Sequence, residues 1–307
     1  MKHFISAADL TRERALHLFA LAADLKQRWK AGRRGTPLEG RSLALIFEKP
    51  SLRTRVTFEV GAHQLGARGV YLSGPEIGLG TRESVPDVAR NLSRWVDGVV
   101  ARVYAHATVE TLARHATVPV INALSDHEHP CQALADYFTL WERGLDPAKV
   151  RLAWIGDGNN MCHSLLLLGA LLGTSIVVAC PPGYEPAASV QATARRLGGR
   201  FEITADARAA VTGSDVVYTD VWISMGQEKE RERRLEAFGR YQVSPTLLGF
   251  ANRSAVFMHC LPAHRGEEVP DAVIDGPQSI VLDQAENRLH AQKAVILELL
   301  GGEGDDV

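Results

Sequence analysis

Short β-rich runs alternate with helical patterns along nearly the whole chain, and that alternation restricts the fold more than any other feature. The runs fall at 42–47, 99–103, 118–121, 151–155, 175–180, 215–219, 255–259 and 279–282. Several are close to continuously apolar, as in Ser175-Ile176-Val177-Val178-Ala179-Cys180. Strands that read this way are buried on both faces, as they are in parallel sheets covered by helices. The expected class is α/β, with two parallel-sheet, three-layer domains of similar size. Arg143-Gly144-Leu145-Asp146-Pro147, between a helical segment at 132–142 and a new strand, marks the boundary, giving domains at 1–145 and 146–285. Thr11 is the expected N-cap of a first helix carrying Leu18, Leu21, Ala22, Leu25 and Trp29, with Gly32 as its stop. A last helical pattern covers about 284–300, and the Gly-Gly-Glu-Gly-Asp-Asp-Val tail is expected to fray.

At 307 residues, 46% hydrophobic and 23% charged, the chain can bury two cores. A net charge of −2 gives no reason to expect nucleic acid or an anionic membrane as partner. Cys131, Cys162, Cys180 and Cys260 lie too far apart for a disulfide scaffold and suit a reducing cytoplasm. No signal-peptide core and no membrane-length apolar stretch is found, so a cytoplasmic location is expected.

In α/β sheets, ligands bind beyond the C-terminal ends of the strands, and the chemistry-bearing residues gather at those places. Ser51-Leu52-Arg53-Thr54-Arg55 follows the run Leu43–Phe47 and opens a helix. Unpaired N–H groups, a positive dipole end, hydroxyls and guanidiniums together suit a small dianion such as phosphate. Arg102 ends another apolar run, as a snorkelling residue or as an anion ligand. In His127-Glu128-His129-Pro130-Cys131-Gln132, a zinc reading lacks a complementary CxxC or HxxxH pair. Pro130 instead starts a helix that presents His129 and Gln132 as neutral hydrogen-bond donors.

Gly156-Asp157-Gly158-Asn159-Asn160 forms a strand–turn–helix junction but fails the dinucleotide fingerprint, because Met161 stands at the third glycine's place. Its asparagines suit a polar small molecule. Asp220, heading Asp220-Val221-Trp222-Ile223-Ser224-Met225-Gly226, can hold an ammonium group beside a closing loop. Gln227 to Arg240 reads mostly as a solvated, charged helix. In His259-Cys260-Leu261-Pro262, strand neighbours point to opposite faces, so His259 is poorly placed to activate Cys260. Arg288 lies in the first turns of the last helix.

Taken together, these motifs resemble the ornithine carbamoyltransferase family, within the aspartate/ornithine carbamoyltransferase superfamily. The likeness runs from the first helix to about residue 298. The family's Ser-Thr-Arg-Thr-Arg is matched by Ser51 to Arg55 except at Leu52, and its His-Pro-x-Gln by His129 to Gln132. Its Asp-x-x-x-Ser-Met-Gly is matched by Asp220 to Gly226, and its His-Cys-Leu-Pro by His259 to Pro262.

The resemblance implies transfer of the carbamoyl group of carbamoyl phosphate to L-ornithine, giving L-citrulline and phosphate, with arginine biosynthesis as the setting. It implies no cofactor and no metal. It places Ser51, the Leu52 backbone, Arg53, Thr54 and Arg102 at the phosphate, and Arg102, His129 and Gln132 at the carbamoyl group. Cys260, Leu261 and Arg288 complete that region, while Asn160, Asp220, Ser224 and Met225 bind ornithine. Arg102, His129, Asp220 and Cys260 are the catalytic set, with Asp220 and Cys260 both open as acceptors of the amine proton. Residues 286–307 would supply a helix returning to the first domain. A homotrimer, or a multiple of trimers, is implied, with Glu76 to Glu83 as the loop lent to a neighbour. The rivals are a carbamoyltransferase for putrescine or an acylated ornithine, a nucleotide-binding oxidoreductase, and a non-catalytic paralogue.

Losing the threonine at Leu52 removes a contact worth about 0.5–1.5 kcal/mol, so carbamoyl phosphate affinity is the property it puts in question. Arg53→Ala is expected to weaken carbamoyl phosphate binding by ~1.5–3 kcal/mol, roughly ten- to hundredfold in KM. Unchanged KM and kcat would remove Arg53 from the site.

Overall fold

The computed structural model of the chain describes residues 1–301 apart from 225. The tail expected to fray lies almost wholly outside the described residues, from 302 onward. Two parallel sheets organise the chain. The first has the order β2-β1-β3-β4, from Ser42–Phe47 (β1), Arg68–Ser73 (β2), Gly98–Arg102 (β3) and Val120–Leu124 (β4). The second has the order β7-β6-β5-β8-β9. Its strands are Arg151–Ile155 (β5), Ser175–Ala179 (β6), Arg200–Thr204 (β7), Val216–Thr219 (β8) and Val256–His259 (β9). Helices that matter below are Arg12–Lys30 (α1), Arg53–Gln64 (α2), Pro130–Glu142 (α3), Asn160–Leu172 (α4), Arg231–Phe238 (α5) and Val281–Leu300 (α6).

The chain divides into two compact units: Met1–Phe138 with Glu286–Val307, and Thr139–Ala285. The breaks fall inside helices, at 138/139 in α3 and 285/286 in α6, where the sequence expectation set them at 145/146 and 285/286. Both units are parallel-sheet α/β structures, the class the apolar runs predict.

In the first unit Ala44, Ile46, Val99 and Ala101 of the sheet pack with Val88, Leu92, Val109 and Leu112. In the second, Ala153, Ile155, Val177, Val217 and Phe257 pack with Trp222, Phe238 and Val273. Burying a valine, leucine, isoleucine or phenylalanine side chain stabilises the fold by about 1.5–3 kcal/mol relative to leaving it exposed.

Three departures from the sequence expectation have physical causes. β2 and β7 lack predicted counterparts because each is an edge strand with exposed positions, so neither forms an apolar run. The run at 279–282 is no strand: Ser279 makes one bridge to Phe257, and α6 begins at Val281. β4 starts at Val120 rather than 118, since Pro119 has no N–H to donate to the ladder. Thr11 caps α1 as expected, its hydroxyl accepting from Arg14 N–H at 3.2 Å.

The C-terminal helix carries two buried bases, His290 and Lys293. Burial, then the neighbouring Lys293 and Lys26, pushes His290 down to about 4, and burial brings Lys293 down to about 8. The folded pKa of His290 lies below its unfolded value, so the unfolded chain takes the proton first as pH falls. This stability is complete above pH 6.5 and is lost between 6.5 and about 4, amounting to ~3 kcal/mol. The urea midpoint should therefore fall from pH 7 to pH 4.5, and His290→Gln should flatten part of that slope. An unchanged slope would place the acid sensitivity elsewhere.

Candidate active site

In the first unit, the expected residues lie at the C-terminal ends of β1, β3 and β4, where the chain turns into helices. Leu52 is the N-cap of α2 and supplies no capping side-chain hydrogen bond. Its side chain is 71% exposed, so only its backbone can serve a ligand at the helix start. Ser51 and Arg53 flank it, both half-buried. Arg55 is turned to other work: it pairs with Glu59 at 2.9 Å and lies 3.5 Å over the Tyr71 ring.

Thr54, Gln132 and Arg288 are brought together and buried. Arg288 Nη2 donates to Thr54 Oγ1 at 3.0 Å, and its Nη1 donates to Gln132 Oε1. Gln132 Nε2 donates in turn to Asp136 Oδ1 at 2.8 Å. Asp136, one helical turn beyond Gln132 on α3, was not singled out in the sequence, although the i, i+4 spacing carries the signal. It orients the Gln132 amide, whose oxygen receives Arg288.

Arg102 is buried where the β3–β4 register shifts between Ala101 and Arg102. Such an irregularity re-aims a side chain at a strand end. His129 is buried too. Burial, then the Arg288 and Arg102 guanidiniums, holds its pKa well below the usual imidazole value. It is neutral at pH 7 and can donate one N–H without adding charge. Lys49, also buried and 4.7 Å over the Tyr104 ring, is a further cation the sequence reading passed over.

The second unit gathers Asp220 and Cys260 at the ends of β8 and β9. Cys260 Sγ donates to Asp220 Oδ1 at 3.0 Å, and Asn159 Nδ2 donates to Asp220 Oδ2 at 2.8 Å. Asn159 is also the N-cap of α4, accepting from Met161 and Cys162 N–H groups. Asn160, expected at ornithine, is the first residue of that helix, and Asn159 beside it makes the Asp220 contact. Leu261 has φ of 58°, a left-handed conformation that costs a non-glycine residue energy, and its N–H donates to His259 Nδ1 at 2.9 Å. His259 Nε2 then faces the fully buried Glu268 at 3.2 Å. His259 thus holds the turn after Cys260 in place, and Glu268 is a further residue the sequence reading missed.

Ser224 N–H donates to Gln227 Oε1 at 3.1 Å, tying the loop back on itself. Met225 lies outside the described residues. The charged stretch after the loop is mostly exposed, but Arg234 is an exception. Its buried guanidinium donates to Asp157 at 2.8 Å and to the Trp222 carbonyl at 2.9 Å, joining the glycine turn to the loop. Burial pushes the Asp157 carboxyl up against that pull.

The glycine turn itself is spent on packing. A Cβ on Gly158 would meet Pro186 N at 2.2 Å, so only glycine fits under that segment. Gly158 N–H donates to Tyr184 O at 2.9 Å, which occupies a donor that a dinucleotide pyrophosphate would need.

Residues 2–142 match the family described as aspartate/ornithine carbamoyltransferase, carbamoyl-P binding domain, and residues 148–299 match its Asp/Orn binding domain. A protein of Methanosarcina mazei named ornithine carbamoyltransferase is 51% identical over 96% of this chain and 98% of its own. One of Pyrococcus furiosus, named "ornithine carbamoyltransferase, anabolic", is 51% identical over 96% of this chain and 95% of its own. The solved ornithine carbamoyltransferase of Pyrococcus furiosus superposes with a TM-score of 0.95 at 50% identity, covering 98% of this chain and 97% of that one. That of Thermus thermophilus gives 0.88 at 46% identity, covering 98% and 99%. The chain belongs to the aspartate/ornithine carbamoyltransferase family and, within it, to the ornithine carbamoyltransferases.

Asn159 carries a double duty, and removing it tests both parts. Asn159→Ala should lower the stability of the second unit by about 1–3 kcal/mol, from the lost cap and the lost Asp220 contact. Asn159→Ser, which keeps a cap but cannot reach as far, should recover part of it. Equal denaturation midpoints for Asn159→Ala and the unaltered chain would contradict the geometry.

Proposed function

We propose that this chain transfers the carbamoyl group of carbamoyl phosphate to the side-chain amine of L-ornithine, giving L-citrulline and phosphate. The observation that carries the amine half is Asp220, a buried carboxylate receiving the Cys260 thiol at 3.0 Å and the Asn159 amide at 2.8 Å. An acceptor held this way suits an ammonium or amine. Ser224, Met225 and Asn160 complete the ornithine set by family resemblance.

The carbamoyl phosphate half is supported by Arg53, Arg102, Arg288 and the neutral His129. Ser51, Leu52 N–H, Arg53, Thr54 and Arg102 hold the phosphate. By family resemblance, Arg102, His129 and Gln132 meet the carbamoyl group, and Cys260, Leu261 and Arg288 belong to the same set. Attack by the neutral amine forms the new C–N bond and puts negative charge on the carbonyl oxygen. Guanidinium and imidazole N–H groups already in place stabilise that oxyanion more than the ground-state carbonyl. Its collapse breaks the C–O bond to phosphate, and the amine proton leaves with the phosphate. Asp220 orients the amine, and the Cys260 thiol yields its hydrogen-bonding position to it.

A homotrimer is the proposed assembly. Leu52, Val56 and Val60 recur at i, i+4 and i+8 on α2, each substantially exposed, and such an apolar stripe is stabilised by burial against another surface. The four free cysteines support a reducing cytoplasm, and no described helix is long and apolar enough to cross a membrane. The anabolic direction, toward arginine, is supported by the name of the Pyrococcus furiosus relative.

Citrulline formation from carbamoyl phosphate, run with L-ornithine beside putrescine, aspartate and N-acetyl-ornithine, tests the reading. Strong preference for L-ornithine is expected. Preference for another amine would overturn the assignment of Asp220 to Gly226. Asp220→Asn should cut kcat/KM for ornithine at least about tenfold while leaving carbamoyl phosphate affinity within about twofold. Equal loss of both would indicate damage to the second unit's fold instead.

A further inference from the structure

A second group of potential ligands lies beyond the assigned residues, in the turn His264 to Glu268. His264 Nδ1, a Glu267 carboxylate oxygen and a Glu268 carboxylate oxygen all lie within 4.8 Å of one another. The imidazole nitrogen is 3.8 Å from Glu267 Oε2 and 4.0 Å from Glu268 Oε2. Both of those oxygens are buried and accept no hydrogen bond.

The other oxygen of each carboxylate is already engaged. Glu267 Oε1 pairs with Arg231, and Glu268 Oε1 accepts from His264 N–H at 2.6 Å and faces His259 Nε2 at 3.2 Å. The turn is held from behind. Gln242 Nε2 donates to the Gly266 and Glu267 carbonyls at 2.9 and 2.8 Å, and Gly266 takes a φ of 90° that closes the loop. Two buried carboxylate oxygens that accept no hydrogen bond, and that face the His264 imidazole nitrogen only from 3.8 and 4.0 Å, are costly, and a cation among the three groups removes the cost.

We propose that His264, Glu267 and Glu268 form a site for a divalent transition-metal ion of the zinc type. Imidazole nitrogen with two carboxylate oxygens favours zinc over magnesium or calcium, which prefer oxygen alone. Three protein ligands leave a fourth position for water. Tetrahedral ligands at about 2.0–2.1 Å stand ~3.3 Å apart, so His264 Nδ1, at 3.8 and 4.0 Å from the two oxygens, must approach them by about half an ångström. His264 can supply that movement, its side chain being 43% exposed while Glu268 is fully buried. The ion would share Glu268 with His259, the residue that holds the turn after Cys260. Its binding therefore reaches the turn that carries Cys260, without the ion touching the reacting groups.

Zinc can also find the Cys260 thiol, which lies close to Asp220 and His259, so the test is made in the full-length Cys260→Ser chain. Zn²⁺ titrated calorimetrically into that chain should saturate at one ion per chain. His264→Ala added to the same background should weaken binding about tenfold or more, and Glu267→Gln should do likewise. Co²⁺ in the Cys260→Ser chain should give visible bands without a sulfur charge-transfer band. No saturable Zn²⁺ binding to the folded Cys260→Ser chain, or binding unchanged by His264→Ala, would overturn the proposal. Should His264→Ala fail to fold, absence of the Co²⁺ bands in the Cys260→Ser chain would overturn it alone.

Discussion

The constraint on which the first unit's chemistry depends is the burial of His129 beside two guanidiniums. An imidazole in water is half-charged near pH 6.5. Here removal from water and the fields of Arg288 and Arg102 act in the same direction, so the ring stays neutral. A charged imidazole would add a third buried cation and compete with the guanidiniums for the same anion. A neutral ring offers a hydrogen bond instead, and in the proposed reaction that bond meets negative charge that develops only as the reaction proceeds. The surroundings are arranged to keep this state. Asp136 fixes Gln132, Gln132 receives Arg288, and Arg288 spans to Thr54 at the start of α2.

The second unit holds a buried carboxylate, Asp220, for which amine binding is the proposed role. Asp220 is held by neutral donors, the Asn159 amide and the Cys260 thiol, rather than by an arginine. A guanidinium there would hold the carboxylate more strongly and would have to be displaced by the substrate. Arg234 is instead committed to Asp157 and the Trp222 carbonyl, where it stiffens the loop's base. The left-handed Leu261 shows that the turn after Cys260 is held at an energetic cost, and His259 with Glu268 supplies the restraint.

Much of this was legible in the sequence because burial leaves a strong imprint. The central strands read directly as apolar runs, and the motifs at their ends carry residue types that only a ligand or a tight turn explains. The edge strands β2 and β7 were hidden because one exposed face interrupts the run, and 279–282 misled because its apolar residues begin a helix. Asn159 was not named as a candidate, because its capping of α4 and its contact with Asp220 depend on geometry that spacing does not carry. Asp136, Arg234 and Glu268 act through other side chains, and that role becomes visible only once those side chains are seen in contact. The same holds for Arg55, whose place in the motif suggested an anion until Glu59 and Tyr71 were seen to engage it.

The most direct test of this account is the protonation state of His129. Nitrogen-15 NMR of imidazole-labelled protein, with His129→Gln to assign the resonance, follows that ring through a pH titration. The account predicts a neutral ring at pH 6.5 and well below it, with no midpoint near the value of an exposed histidine. A midpoint at or above 6.5 would show a cationic ring, and the neutral-donor role argued for it would be wrong.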